Sequence, residues 1–282
     1  MKPSLHSACA RPITALLLTA SAALVSAPVS IAHDFWLAPN TYKVDTPRPI
    51  AVDIMIGHPE DSLRWTVNPH RIVALRSVSQ SGIDDQQGAM NALLPGGSFM
   101  IETLRTGTNL LTIETTSAFS DLPADKFNAY LAEEGLTPIA QDRERKGTQD
   151  QNGTEIYSRR GKALIQVGDL SPQDPDFLTR PLGMTLEIVP SAHPMRLKAG
   201  EPMTSTSYYR GAPTSGITIG LIDLSGDRGL IATAKTDNAG RVTFPRPQAG
   251  AWMLHAVWSD ALEDTTKADY DTIFSSLSFA VE

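Results

Sequence analysis

Ile50-Ala51-Val52-Asp53-Ile54-Met55-Ile56-Gly57-His58-Pro59 decides the reading of this chain. Ile50, Val52, Ile54 and Ile56 alternate strictly, which is the two-residue period of a strand with one buried face. The same parity carried past Gly57 predicts that His58 points inward at a Gly-His-Pro turn where the backbone leaves the sheet. Working outward, strand signals recur at Asn109 to Thr115, Lys162 to Val167, Met184 to Val189, Met203 to Tyr209, Ile217 to Ile222, Leu230 to Lys235, Arg241 to Phe244, Ala251 to Trp258 and Ile273 to Val281. Turn signals such as Asp237-Asn238-Ala239-Gly240 fall at the short intervals of a β-sandwich. Forty Gly and Pro residues (20 of each) against 8 Phe, 6 Tyr and 4 Trp also suit many turns and short strands.

These signals predict an all-β chain of two β-sandwich domains, immunoglobulin-like or transthyretin-like, over residues 33–190 and 191–282. The boundary falls at Pro190, His193-Pro194 and Gly200 to Pro202, a cluster of chain breakers. One segment departs from the pattern. Pro123, then Phe127, Tyr130 and Leu131 at helical spacing, then Gly135 as a stop, predict a short amphipathic helix, and Pro138 opens a second. This makes a helical insertion near 123–146. The polar run from Gln141 to Gly153 reads as a mobile, solvated loop or a frayed helix end.

The beginning of the chain reads as an export signal. Lys2 and Arg11 give a basic start, Ile13 to Val25 is apolar, and Ser30-Ile31-Ala32 places small residues at −3 and −1 of a cleavage site. A cut after Ala27 is the second choice because Pro28 would follow it. Residues 1–32 are then a cleavable signal peptide and His33 leads a soluble periplasmic product with no membrane insertion. The single cysteine, Cys9, lies inside the signal, which excludes a mature disulfide, a thiolate metal site and a cysteine nucleophile. With 282 residues, 41% of them apolar, the core is large enough to do without disulfides. The net charge of −7 supplies no basic field for nucleic acid.

Chemistry therefore falls to the histidines. Cleavage before His33 would free an α-amine beside its own imidazole, so that one residue could close a chelate ring on a metal ion; both groups lose their protons to a metal near neutral pH. His58 ends the inward-facing row, and His255 shares a strand face with Met253 and Val257. Each has a plainer reading, as an exposed terminus or as a hydrogen-bonded core histidine. His70 and His193 sit beside prolines in loop-like sequence, and Glu60 and Asp61 read as solvated turn acids, with an oxygen ligand or a support for an imidazole as the alternatives. No Gly-x-Ser-x-Gly elbow, phosphate loop or dinucleotide fingerprint occurs, and no spacing singles out a catalytic carboxylate pair.

The segments His33-Asp34-Phe35-Trp36-Leu37-Ala38-Pro39, Ile56-Gly57-His58-Pro59 and Phe127-Asn128-Ala129-Tyr130-Leu131-Ala132-Glu133-Glu134-Gly135-Leu136 resemble an exported bacterial family, domain-of-unknown-function family 4198. The match continues through Glu155 to Arg159, Lys162 to Leu164, Leu186 to Pro190 and Thr236 to Arg241. The family is similar to periplasmic components of nickel or cobalt uptake. The resemblance implies a metal-handling protein of the periplasm, with His33 and His58 at the family's histidine-bearing motifs. The expected function is a carrier, without turnover, in which His33, His58 and His255 hold nickel or cobalt, or copper, for a membrane uptake system. Two other readings stand beside it. One is a copper-dependent oxidative enzyme with an amino-terminal histidine brace; the other is a metal-free sandwich module that binds an envelope protein or a glycan.

Overall fold

The computed structural model describes residues 34–92, 97–102, 104–225 and 229–282. The expected signal peptide and His33 lie outside the described residues. Within them the chain is an all-β sandwich with a short helical insertion, as the alternating patterns predict. A ten-stranded sheet forms the middle layer. Its main path runs Gly229–Lys235, Thr218–Asp223, Gly250–Ala261, Tyr270–Val281, Gly153–Val167, Gly107–Thr115, Ile72–Ser79 and Gly82–Asp85. The strands on the two sides of the boundary expected after residue 190 pair in parallel here, Glu155–Ala163 beside Tyr270–Ser278, so one sheet carries both.

A small sheet packs on each face of the long one. On one face lie Phe35–Pro39, Ile50–Ile56, Leu63–Arg64 and Ser98–Ile101; on the other lie Leu186–Pro190, Met203–Tyr209, Ala212–Pro213 and Arg241–Phe244. The two-residue period of the shared strands divides their side chains between two cores. Ala163 and Ile165 join Phe35, Ile54 and Phe99 in the first core, whereas Leu164 joins Leu186, Phe244 and Leu254 in the second.

The helical insertion covers the rest of the first face. Helix α1 (Ala124–Glu133) and helix α2 (Thr137–Lys146) bury Phe127, Tyr130, Leu131, Leu136 and Ile139 against Val257, Tyr270 and Phe274 of the long sheet. Of the two readings of the run from Gln141, a solvated loop or a helix end, its first residues take the second, as the last turns of α2, though Asp142 and Arg143 there are buried rather than solvated. Arg143 is 1% exposed. Its guanidinium lies 5.0 Å from the Phe127 ring centroid and donates to the carbonyls of Gln149 and Gln151. An arginine on an otherwise polar helix face thus becomes the clamp that orders the following turn.

One buried ion pair fastens the middle layer to the second small sheet. Lys162 Nζ lies 3.0 Å from Glu187 Oε1, both side chains being essentially inaccessible. The same carboxylate accepts the backbone N–H groups of Leu182, Gly183 and Met184. Burial pulls the Lys162 ammonium below the usual lysine range, and Glu187 opposes that shift. A buried charge is tolerated when it is matched in this way.

Candidate metal centre

The seam between α1 and the first small sheet exposes one row of the long sheet. Register places Thr233, Gly220, His255, Ser276 and Gly161 side by side across five strands. His255 is the only large side chain in that row, and its small neighbours keep the seam open. The resulting cavity of about 190 Å³ is lined by Asp34, His58, Glu60, Glu133, Glu134 and His255 on its polar side. Thr218, Gly220, Ile222 and Leu230 also line it. Four carboxylates and no lysine or arginine line it, so its field favours a cation.

Backbone geometry delivers each polar group. The strand Phe35–Pro39 pairs Phe35 with Ile56, and Gly57 N–H donates to the Asp34 carbonyl at 3.1 Å, which sets Asp34 beside the Gly-His-Pro turn. Gly57 adopts a φ of +107°, open to glycine and little else. That turn ends the strand parity. Ile50, Val52 and Ile54 are buried as predicted, but Ile56 and His58 are only half-buried, and His58 stands at the cavity mouth rather than in the core. Glu133 and Glu134 close α1. Gly135, at φ +66°, follows them so tightly against the sheet that a Cβ there would lie 2.2 Å from Thr218 Oγ1.

Asp34 is the hinge of the cluster. Its Oδ1 lies 3.0 Å from His255 Nδ1 and its Oδ2 lies 4.0 Å from His58 Nδ1. Glu134 Oε2 approaches His255 Nδ1 at 3.9 Å, and His58 Nε2 lies 3.4 Å from Glu133 Oε1. One donor atom from each of Asp34, Glu134 and His255 falls within a mutual span of 4.8 Å. Donors on a single ion at ~2.0–2.2 Å stand roughly 3.0–3.5 Å apart, so the trio needs to close by only about 1 Å.

Electrostatics match that geometry. Burial pushes the Glu134 carboxyl up to about 7, with His255 opposing the shift and Asp34 and Glu133 adding to it. Burial alone would lower the His255 imidazole, but the Asp34 and Glu134 carboxylates outweigh it and hold the ring at about 9. A divalent cation bound here would replace that proton as the counter-charge of the two acids. The other His255 nitrogen, Nε2, is buried and has no hydrogen-bond partner among the described residues, a costly arrangement for a polar atom.

Of the histidines singled out in the sequence, His58 and His255 line this one cavity. His33 lies outside the described residues, but its chain neighbour Asp34 is in the cluster. His70 is exposed, and His193 is a buried cap whose Nδ1 accepts the Met195 N–H. Sequence reasoning missed Asp34, Glu133 and Glu134. A signal for the glutamates was present: two carboxylates end α1, where the helix dipole opposes negative charge, so a cationic partner from elsewhere was to be expected.

Residues 30–260 match the family described as Domain of unknown function (DUF4198). The chain belongs to that family. The matched span contains Asp34, His58, Glu133, Glu134 and His255, so the whole cavity cluster sits inside the DUF4198 region. No curated protein matches the chain. Among solved structures, the D0-D1 domain of Intimin is 11% identical, with 88% of this chain and 98% of that chain covered and a TM-score of 0.21. Native alpha-2-macroglobulin from Escherichia coli, spanning domains MG0-NIE-MG1, is 12% identical, covers 86% and 95%, and scores 0.21. Murine CEACAM1b is 8% identical, covers 88% and 99%, and scores 0.20. Scores this low transfer neither fold nor activity. Among the described residues no helix is long and apolar enough to cross a membrane.

Proposed function

We propose that this DUF4198 chain is a periplasmic carrier of a divalent transition metal, and that the ion sits between Asp34, Glu134 and His255. The observation that carries this reading is the convergence of one imidazole and two carboxylates within 4.8 Å in a cavity free of cationic lysine or arginine. His58 stands at the mouth, and the amine and ring of His33 would join from the residue next to Asp34. Nitrogen and oxygen donors without thiolate suit nickel, cobalt and zinc; copper binds such sites most tightly, so nickel or cobalt selectivity must come from geometry or supply. The partner is then a membrane uptake system that receives the ion. The oxidative-enzyme reading is weaker, because Asp34 and Glu134 place carboxylates where a histidine brace relies on nitrogens.

Intact mass of the exported protein, followed by nickel and cobalt titration, tests this reading. The processed form beginning at His33 should bind tightly, and a form with one extra residue before His33 at least tenfold more weakly, about 1.4 kcal/mol. Absence of binding by the processed form refutes the carrier. Reductant-dependent oxygen consumption by the copper-loaded protein would move the assignment to the enzyme.

A further inference from the structure

The two glutamates that end α1 do not serve the same place. Glu134 is largely buried and faces His255, whereas Glu133, 58% exposed, faces His58 at the mouth. The His58 ring stands between the two settings. Its Nδ1 looks toward Asp34 at 4.0 Å, and its Nε2 looks toward Glu133 at 3.4 Å. The ring nitrogens of one histidine diverge, so a single ion cannot take both. Asp34 is divided in the same way, with Oδ1 toward His255 and Oδ2 toward His58.

We propose that the cavity holds two metal positions in series: an inner one on Asp34, Glu134 and His255, and an outer one on His58 Nε2 and Glu133 at the mouth. This rests on the carrier reading and adds a second site to it. Among the described residues the outer position offers two donors, both on side chains that reach solvent, so it binds more weakly and exchanges faster than the inner one. Among the described residues the inner position offers three donors away from solvent, with His33 next to Asp34 in the chain, and it holds the ion. His58, whose Nδ1 side is turned to Asp34, is placed to orient an ion as it passes between the two. A carrier that must both acquire and surrender its cargo gains from such a step, because an ion partly bound at the mouth need not shed its whole water shell at once.

The test is equilibrium dialysis of the exported protein against cobalt(II), with bound metal counted per chain, for the wild type, Glu133→Gln and Glu134→Gln. The wild type should bind two equivalents, the second at least tenfold more weakly than the first. Glu133→Gln, a change at an exposed side chain, should remove the second equivalent and leave the first within about threefold, whereas Glu134→Gln should weaken the first. A wild type that binds one equivalent overturns the series arrangement, whether Glu133→Gln weakens it like Glu134→Gln or leaves it unchanged. A wild type that binds none overturns the carrier reading itself.

Discussion

Gly135→Ala probes the joint that sets Glu134 against His255. Gly135 has a φ of +66°, and a methyl group there would lie 2.2 Å from Thr218 Oγ1 and 3.0 Å from Thr218 Cβ. Alanine in the left-handed region costs about 1–2 kcal/mol, and forcing a carbon into a closed contact costs about 1–3 kcal/mol. The stiffer unfolded chain offsets about 0.4–1 kcal/mol of this. The sum is a loss of about 3 kcal/mol. Ordinary contact needs more than an ångström of extra space, so the end of α1 must lift from the sheet and carry the Glu134 carboxylate away from His255, which it now approaches at 3.9 Å. Urea unfolding should therefore show the loss of stability, and cobalt titration a loss of affinity of at least tenfold. Adding Thr218→Ala removes the blocking hydroxyl, and the double-mutant cycle should return at least about 1 kcal/mol of coupling. A Gly135→Ala protein as stable as the wild type, or strict additivity with Thr218→Ala, would refute the joint.

Two further outcomes follow from buried charges outside the cavity. Lys162→Met leaves the Glu187 side chain in the core with its ammonium partner gone, and unfolding in urea should show a loss of about 3–5 kcal/mol; a loss below about 1 kcal/mol would show that the pair contributes little. His193 is held down at about 4 because burial disfavours its charged form, despite Asp174 nearby. Unfolded chains then take up the proton first, so stability falls as pH drops below about 6.5 and stops falling near 4. That is about 2 kcal/mol between pH 7 and pH 5. His193→Asn should flatten this dependence without losing the cap, since Asn68 caps a separate Pro-containing turn of the same kind, Pro69–Arg71, by accepting the His70 N–H. A variant with the wild-type pH profile would assign the dependence to other groups.

Strand positions were legible because period and turn chemistry are local: Met203–Tyr209 and Arg241–Phe244 lie where their alternation puts them. The helices were legible for the same reason, through Phe127, Tyr130 and Leu131. Parity failed at His58 because it assumes an unbroken strand, and Gly57 turns the chain just before it. Arg143 misled because a charged side chain reads as solvated unless the ring it covers is known. Half of the cavity was visible, since histidines are scarce and two of them sit at informative strand positions. The carboxylates were hidden among 31 acidic residues, and only the packing of α1 over the long sheet brings Glu134 and Asp34 to the same imidazole.

The most direct measurement is an anomalous-difference map at the cobalt edge from crystals of the exported protein grown with cobalt(II). The account predicts the strongest peak between Asp34, Glu134 and His255, at roughly 2.0–2.3 Å from a donor atom of each. Strong peaks at exposed groups such as His70, with none in the cavity, would contradict it.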